Sequence, residues 1–151
     1  MSLEALLAGL HIVAILTLVV FLSSEAALCR AEWMNAAVVQ RLARLDLIYG
    51  VAAVLVLATG LARIVWGIKG GAWYWQQPLL HAKLGLFVLI GLLSIQPSLA
   101  FRRWLRAVLA DGSLPDPDEI RRVRARIMLQ AHLLILIPIA AVMLARGVWT
   151  R

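Results

Sequence analysis

Four long apolar runs, at about residues 3–22, 47–66, 75–99 and 127–148, constrain this chain more than any other feature. Each approaches the roughly 20 residues that cross a hydrocarbon core about 30 Å thick. The chain is 63% hydrophobic, against roughly 45–50% for a soluble domain. With 151 residues it is expected to form a single transmembrane domain over 1–151. The four runs leave no separate soluble core to build. The first run has Glu4 as its only early charge, no positive leading region and no small-residue cleavage site. It is therefore expected to stay in the mature protein rather than act as a signal peptide.

The arginines orient the spans. Arg102, Arg103, Arg106, Arg121, Arg122, Arg124 and Arg126 lie between the third and fourth runs, and Arg30, Arg41 and Arg44 between the first and second. The positive-inside rule makes that side cytoplasmic, with both termini and the loop at 68–74 facing outward. The expected location is a bacterial inner membrane, with periplasmic termini. Trp66, Trp73, Tyr74, Trp75 and Trp149 are expected at the outer interface, and Trp33, Tyr49 and Trp104 at the inner one. The net charge of +7 then reads as attraction to anionic lipid headgroups. The basic patch carries no interleaved stacking aromatics, which argues against a nucleic-acid partner. Cys29 is the single cysteine, so an internal disulfide or a thiolate metal cluster is excluded. No phosphate loop or nucleophile elbow supports a soluble enzyme.

The connections carry helix signals. Asp116-Pro117-Asp118-Glu119 reads as a helix start, with Asp116 as N-cap, Pro117 in first position and Glu119 closing a capping box. Asn35 is placed to cap a short amphipathic lead-in to the second span. Gly70-Gly71 punctuates the outer loop and Pro78 suits the start of the third span. Short connections make neighbouring spans antiparallel, which predicts an all-α, four-helix up-down bundle within the membrane. Pro138 is expected to kink the fourth span by releasing a bond near Leu134.

Three histidines and a lysine fall inside these apolar runs: His11, His81, Lys83 and His132. Such groups are costly in hydrocarbon and mark candidate functional sites. Counting about 1.5 Å per residue from the outer interface puts His11 about 12 Å deep, His81 about 9 Å and Lys83 about 12 Å. His11 can share a level with His81 or Lys83 but cannot easily face both, since residues two apart on a helix point about 200° apart. The spacing predicts an outer cluster of His11, His81, Lys83 and Arg63, and an inner one of His132, Gln96 and Gln130. Two imidazoles on facing helices can hold a haem iron axially. His11 and His81 are therefore candidate iron ligands, with His132 a further candidate. Arg63 and Lys83 would compensate the propionates or bind an acidic substituent of a substrate, and so are the candidate catalytic residues. Ala53, Gly60 and Gly67 recur on one face of the second span, permitting either close helix packing or a flat cofactor against the backbone at Gly60. The bland alternative for each histidine is a hydrogen bond to a nearby carbonyl or hydroxyl.

The segments Gly9-Leu10-His11-Ile12-Val13 and Leu80-His81-Ala82-Lys83-Leu84 resemble signatures of the four-helix membrane protoporphyrinogen IX oxidases of the HemJ type. That resemblance implies haem b binding, with correspondence at His11, His81 and Lys83. The chain departs from that family after His11, where Ser23, Ser24 and Glu25 stand in place of its Gly-Leu-x-x-x-x-Arg element. The string from Tyr74-Trp75 through His81-Ala82-Lys83 and Gly91-Leu92-Leu93-Ser94-Ile95-Gln96-Pro97 to Arg102-Arg103-Trp104 is more similar to a large family of predicted four-span bacterial proteins of unknown function. The expected function is a haem-b-binding membrane redox protein that oxidises a hydrophobic substrate such as a porphyrinogen or quinol. The alternative is a cofactor-free small transporter or an assembly subunit. Expected partners are the lipid bilayer, a quinone or porphyrin-type small molecule and a second copy of the chain.

Overall fold

The computed structural model describes residues 3–66, 76 and 78–146. Among them every regular element is helical: α1 (Leu3–Leu28), a 3-10 turn (Ala31–Trp33), α2 (Ala36–Trp66), α3 (Pro78–Asp111) and α4 (Pro117–Ala145). The helices outrun the apolar runs by about two to three turns at the arginine-rich end. The lead-in before residue 47 is thus continuous with the second span rather than a separate short helix. The α1 and α2 helices and the Leu80–Asp111 stretch of α3 are long and apolar enough to cross a membrane. The fourth run lies in α4 as far as Ala145, and its last residues fall outside the described ones.

Helix ends follow the local chemistry. Asn35 Oδ1 accepts the Val38 amide at 3.0 Å, and Asp116 Oδ1 accepts the Asp118 amide at 2.8 Å. Each satisfies a donor that the first turn of a helix leaves free. Pro78 and Pro117 occupy first positions, where a missing N–H costs nothing. Glu119 does not close a capping box. Its Oε1 instead accepts Trp104 Nε1 at 3.1 Å and pairs with Arg103, tying α4 to α3. At the end of α3, Gly112 takes φ 76° and returns its amide to the Val108 carbonyl, a left-handed cap open to glycine.

The helices pack α1 on α2, α2 on α3, α3 on α4 and α4 on α1. The core lies towards the arginine-rich end, where Leu22, Val39, Leu42, Phe101, Ile120, Val123 and Ile127 are almost fully buried. In α1 the buried residues are Ala14, Leu18, Leu22, Glu25 and Ala26. In α2 they include Val39, Leu42, Asp46, Tyr49 and Ala52, and in α4 Ile120, Val123, Ile127 and Gln130. Steps of three and four put each set on one stripe facing the neighbouring helices. Leu10, Val54, Leu92 and Ile135 lie off those stripes and are exposed, a surface suited to lipid.

Two expected interface aromatics are core residues. Tyr49 and Trp104 are buried, because the phenol reaches Gln130 and the indole reaches Glu119 inside the molecule. Trp33 and Trp66 are exposed, and Trp33 stacks under the Arg30 guanidinium at 4.8 Å. Gly67, Gly70, Gly71, Trp73, Tyr74, Trp75 and Trp149 lie outside the described residues. The α4 helix runs without a break through Pro138.

Candidate functional site

At the end away from the arginine-rich segments, α1 and α2 meet around His11. Its Nδ1 lies 2.8 Å from Thr59 Oγ1, and that hydroxyl donates its own proton to the Leu55 carbonyl at 2.6 Å. Where the Thr59 proton goes to that carbonyl, its oxygen can only accept, and the matching tautomer of His11 carries its proton on Nδ1 and a lone pair on Nε2. A Cβ at Gly60 would stand 3.2 Å from His11 Cε1. The missing side chain at Gly60 therefore lets the Cε1 edge of the imidazole come up against α2, which is the close-packing use of a small residue.

Arg63 and Lys83 lie near enough for their charges to act on His11, and Arg63 acts on Lys83 in turn. Three members of the expected outer cluster thus come together. His81, two residues before Lys83, is exposed on α3. His132 is exposed on α4, where its Nδ1 lies 2.6 Å from the Met128 carbonyl of the preceding turn. A carbonyl can only accept, so this ring too presents Nε2 as a lone pair. Gln130, two residues away, points into the core, so His132 and Gln130 do not form one inner cluster.

The arginine-rich half holds a second group that the apolar-run reading passed over. Glu25 and Asp46 are 2% and 7% exposed. Asp46 Oδ1 accepts the Ser98 hydroxyl at 2.5 Å. Tyr49 donates to Gln130 Oε1 at 3.3 Å, while Gln130 Nε2 donates to the Leu93 carbonyl at 3.3 Å. Glu25 Oε1 and Gln96 Oε1 are buried without a hydrogen-bond partner among the described residues. A cleft of about 370 Å³ runs along α2 and α3, with Asp46, Ser98 and Arg102 at its polar end and Val51, Val54 and Leu55 along its wall. A smaller cleft of about 210 Å³ lies beside Tyr49, Gly50 and Ser94. The signal that betrays the two acids is phase. Glu25 sits three and seven residues after Leu22 and Leu18, on the buried stripe of α1. Asp46 sits four after Leu42 and three before Tyr49, on that of α2.

Beside this group Cys29, just past the end of α1, is fully buried. Burial, aided by the charge of Glu25 and opposed by that of Arg124, pushes its thiol up to about 12. Arg124 Nε also donates to the Ala26 carbonyl at 3.3 Å, satisfying one of the acceptors left open by the last turn of α1.

Neither the curated proteins nor the solved structures contain a match to this chain. The resemblance to protoporphyrinogen IX oxidases therefore rests on His11, His81 and Lys83 alone. Nearly the whole chain, residues 3–149, matches the family described as "Predicted membrane protein (DUF2214)", and the protein belongs to that family.

Proposed function

We propose that this protein is an up-down, four-span redox protein of the bacterial inner membrane that binds one haem b through His11. Its arginine-rich end would face the cytoplasm and its termini the periplasm. The observation that carries the haem assignment is the bonding of His11. An imidazole whose Nδ1–H is anchored by Thr59 presents Nε2 in the state that an iron ligand requires. The donor set around it fits the group, since Arg63 and Lys83 supply two cations for two propionates. Haem, when bound, supplies one-electron exchange with a hydrophobic reductant such as a porphyrinogen or quinol. The chain's own contribution is to fix the imidazole, to balance carboxylate charge with Arg63 and Lys83, and to admit substrate from the lipid.

A second reading, a cofactor-free proton-coupled transporter, is favoured by the buried Glu25 and Asp46. The absorption spectrum of the full chain, purified in detergent from cells supplied with ample haem, separates the two. A Soret band with reducible α and β bands, lost in His11→Ala, is expected for the haem protein. A featureless spectrum from folded protein overturns the haem assignment and leaves the transport reading. His81→Ala and His132→Ala variants then test the second axial position.

A further inference from the structure

Of the eight acidic residues in the chain, six are exposed or half-exposed, and Glu25 and Asp46 are the two that are buried. Glu25 lies among the buried residues of α1 and Asp46 among those of α2; the Asp46 charge acts on Glu25, and both charges act on Tyr49. Two carboxylate charges in one apolar enclosure repel strongly, and such pairs titrate as a unit. The charges around them are unevenly placed, and the one that acts on Glu25 is that of Asp46. Arg102 of α3 acts on Asp46 from the exposed rim. Arg124 of α4 gives its Nε–H to the Ala26 carbonyl and keeps its charge, which acts on Cys29. Cys29 and Tyr49 complete the lining, and neither is a cation.

The two acids differ in their support. Asp46 receives the Ser98 hydroxyl and the field of Arg102, both of which favour a carboxylate. Glu25 stands in the last turn of α1, where the helix dipole disfavours negative charge. Its Oε1 is buried with no hydrogen-bond partner among the described residues. Asp46 lines the cleft at the arginine-rich end, whereas Glu25 lines neither cleft. The occupant that fits so closed a position is a proton.

We propose that Glu25 and Asp46 form a proton-binding site that holds one proton for two carboxylates. The proton rests on Glu25, and Asp46 carries the charge and exchanges protons through the cleft. The site lies outside the His11 cluster and does not depend on haem binding. No bond other than O–H forms or breaks, and the proton comes from solvent water.

Infrared spectroscopy of the full chain in lipid vesicles at neutral pH tests this directly. Wild-type protein should show the carbonyl band of one protonated carboxyl group, because the six remaining acids are exposed or half-exposed and ionised. Transfer to heavy water should shift that band. Glu25→Gln should remove it, and Asp46→Asn should leave Glu25 with at least about tenfold altered proton affinity through loss of the neighbouring charge. A wild-type spectrum with no carboxylic carbonyl band overturns the proposal without recourse to any variant. A band unaffected by either substitution, in protein with wild-type helix content, overturns it equally.

Discussion

Gln130 supplies the hydrogen bond that Pro97 takes away. Pro97 lies inside α3 and has no N–H to give the carbonyl four residues back, that of Leu93. Gln130 Nε2 of α4 donates to this carbonyl at 3.3 Å, and its Oε1 accepts Tyr49 of α2. One amide thus joins three helices and satisfies that acceptor. Gln130→Leu orphans the Leu93 carbonyl and takes one partner from the Tyr49 hydroxyl, which Ser94 also reaches, and should cost about 1–3 kcal/mol. Pro97→Ala restores the missing N–H, so the double variant should be less destabilised than the sum of the single ones by about 1 kcal/mol. Unfolding in detergent across the four proteins measures this. Strict additivity would show that the two positions are not coupled.

The tautomer of His11 depends on Thr59. Thr59→Val keeps the shape and removes the acceptor, whereas Thr59→Ser keeps the acceptor. In haem-loaded protein, Thr59→Val should weaken retention by about 10–100-fold, read as haem transfer to an acceptor apoprotein, while Thr59→Ser stays near wild type. Equal retention in all three proteins would mean that this bond does not orient a ligand.

Gly60 makes a separate prediction about packing. An alanine Cβ there meets His11 Cε1 at 3.2 Å, so the ring must move by a few tenths of an ångström. Gly60→Val adds branched bulk against the same ring and should cost about 1–3 kcal/mol by overpacking. At Gly50, where a Cβ meets nothing within 4 Å, alanine should be tolerated. Thermal unfolding of the two variants side by side checks the contrast.

Glu119 accepts the indole N–H of Trp104, which is buried. Glu119→Ala leaves that donor without a partner and should cost about 1–3 kcal/mol. Glu119→Gln retains an oxygen and should cost less. An equal loss in both variants would move the stabilisation from the indole bond to the exposed Arg103 pair.

Cys29 gives the pH dependence. Its thiol is held neutral up to about 12 by burial, while an unfolded cysteine ionises near pH 8.5. The folded state therefore binds the proton more tightly. The resulting stability is complete below about pH 8.5 and is lost as pH rises towards 12. Native protein should resist maleimide at pH 8 and react on denaturation. Rapid labelling of the native form would contradict the burial of this thiol.

What the sequence determined by itself was the membrane and the helix ends. Apolar length reports on solvent, and Asn35, Asp116, Pro78 and Pro117 act on amides within a turn of themselves. Their effects are local, so they are legible without the fold. The outer group of His11, Arg63 and Lys83 was legible in part, because a polar residue in an apolar run stands out. Only the tertiary structure decided which face of each helix is buried, since a lipid-facing leucine and a core leucine look alike in sequence. For that reason Tyr49 reads as an interface residue, and Glu25 and Asp46, just outside their runs, carry no signal until packing encloses them. The same packing put Lys83 near enough for its charge to act on His11 and left His81 exposed. It also set Gln130 against the carbonyl freed by Pro97, a relation between two helices that no spacing within one of them encodes.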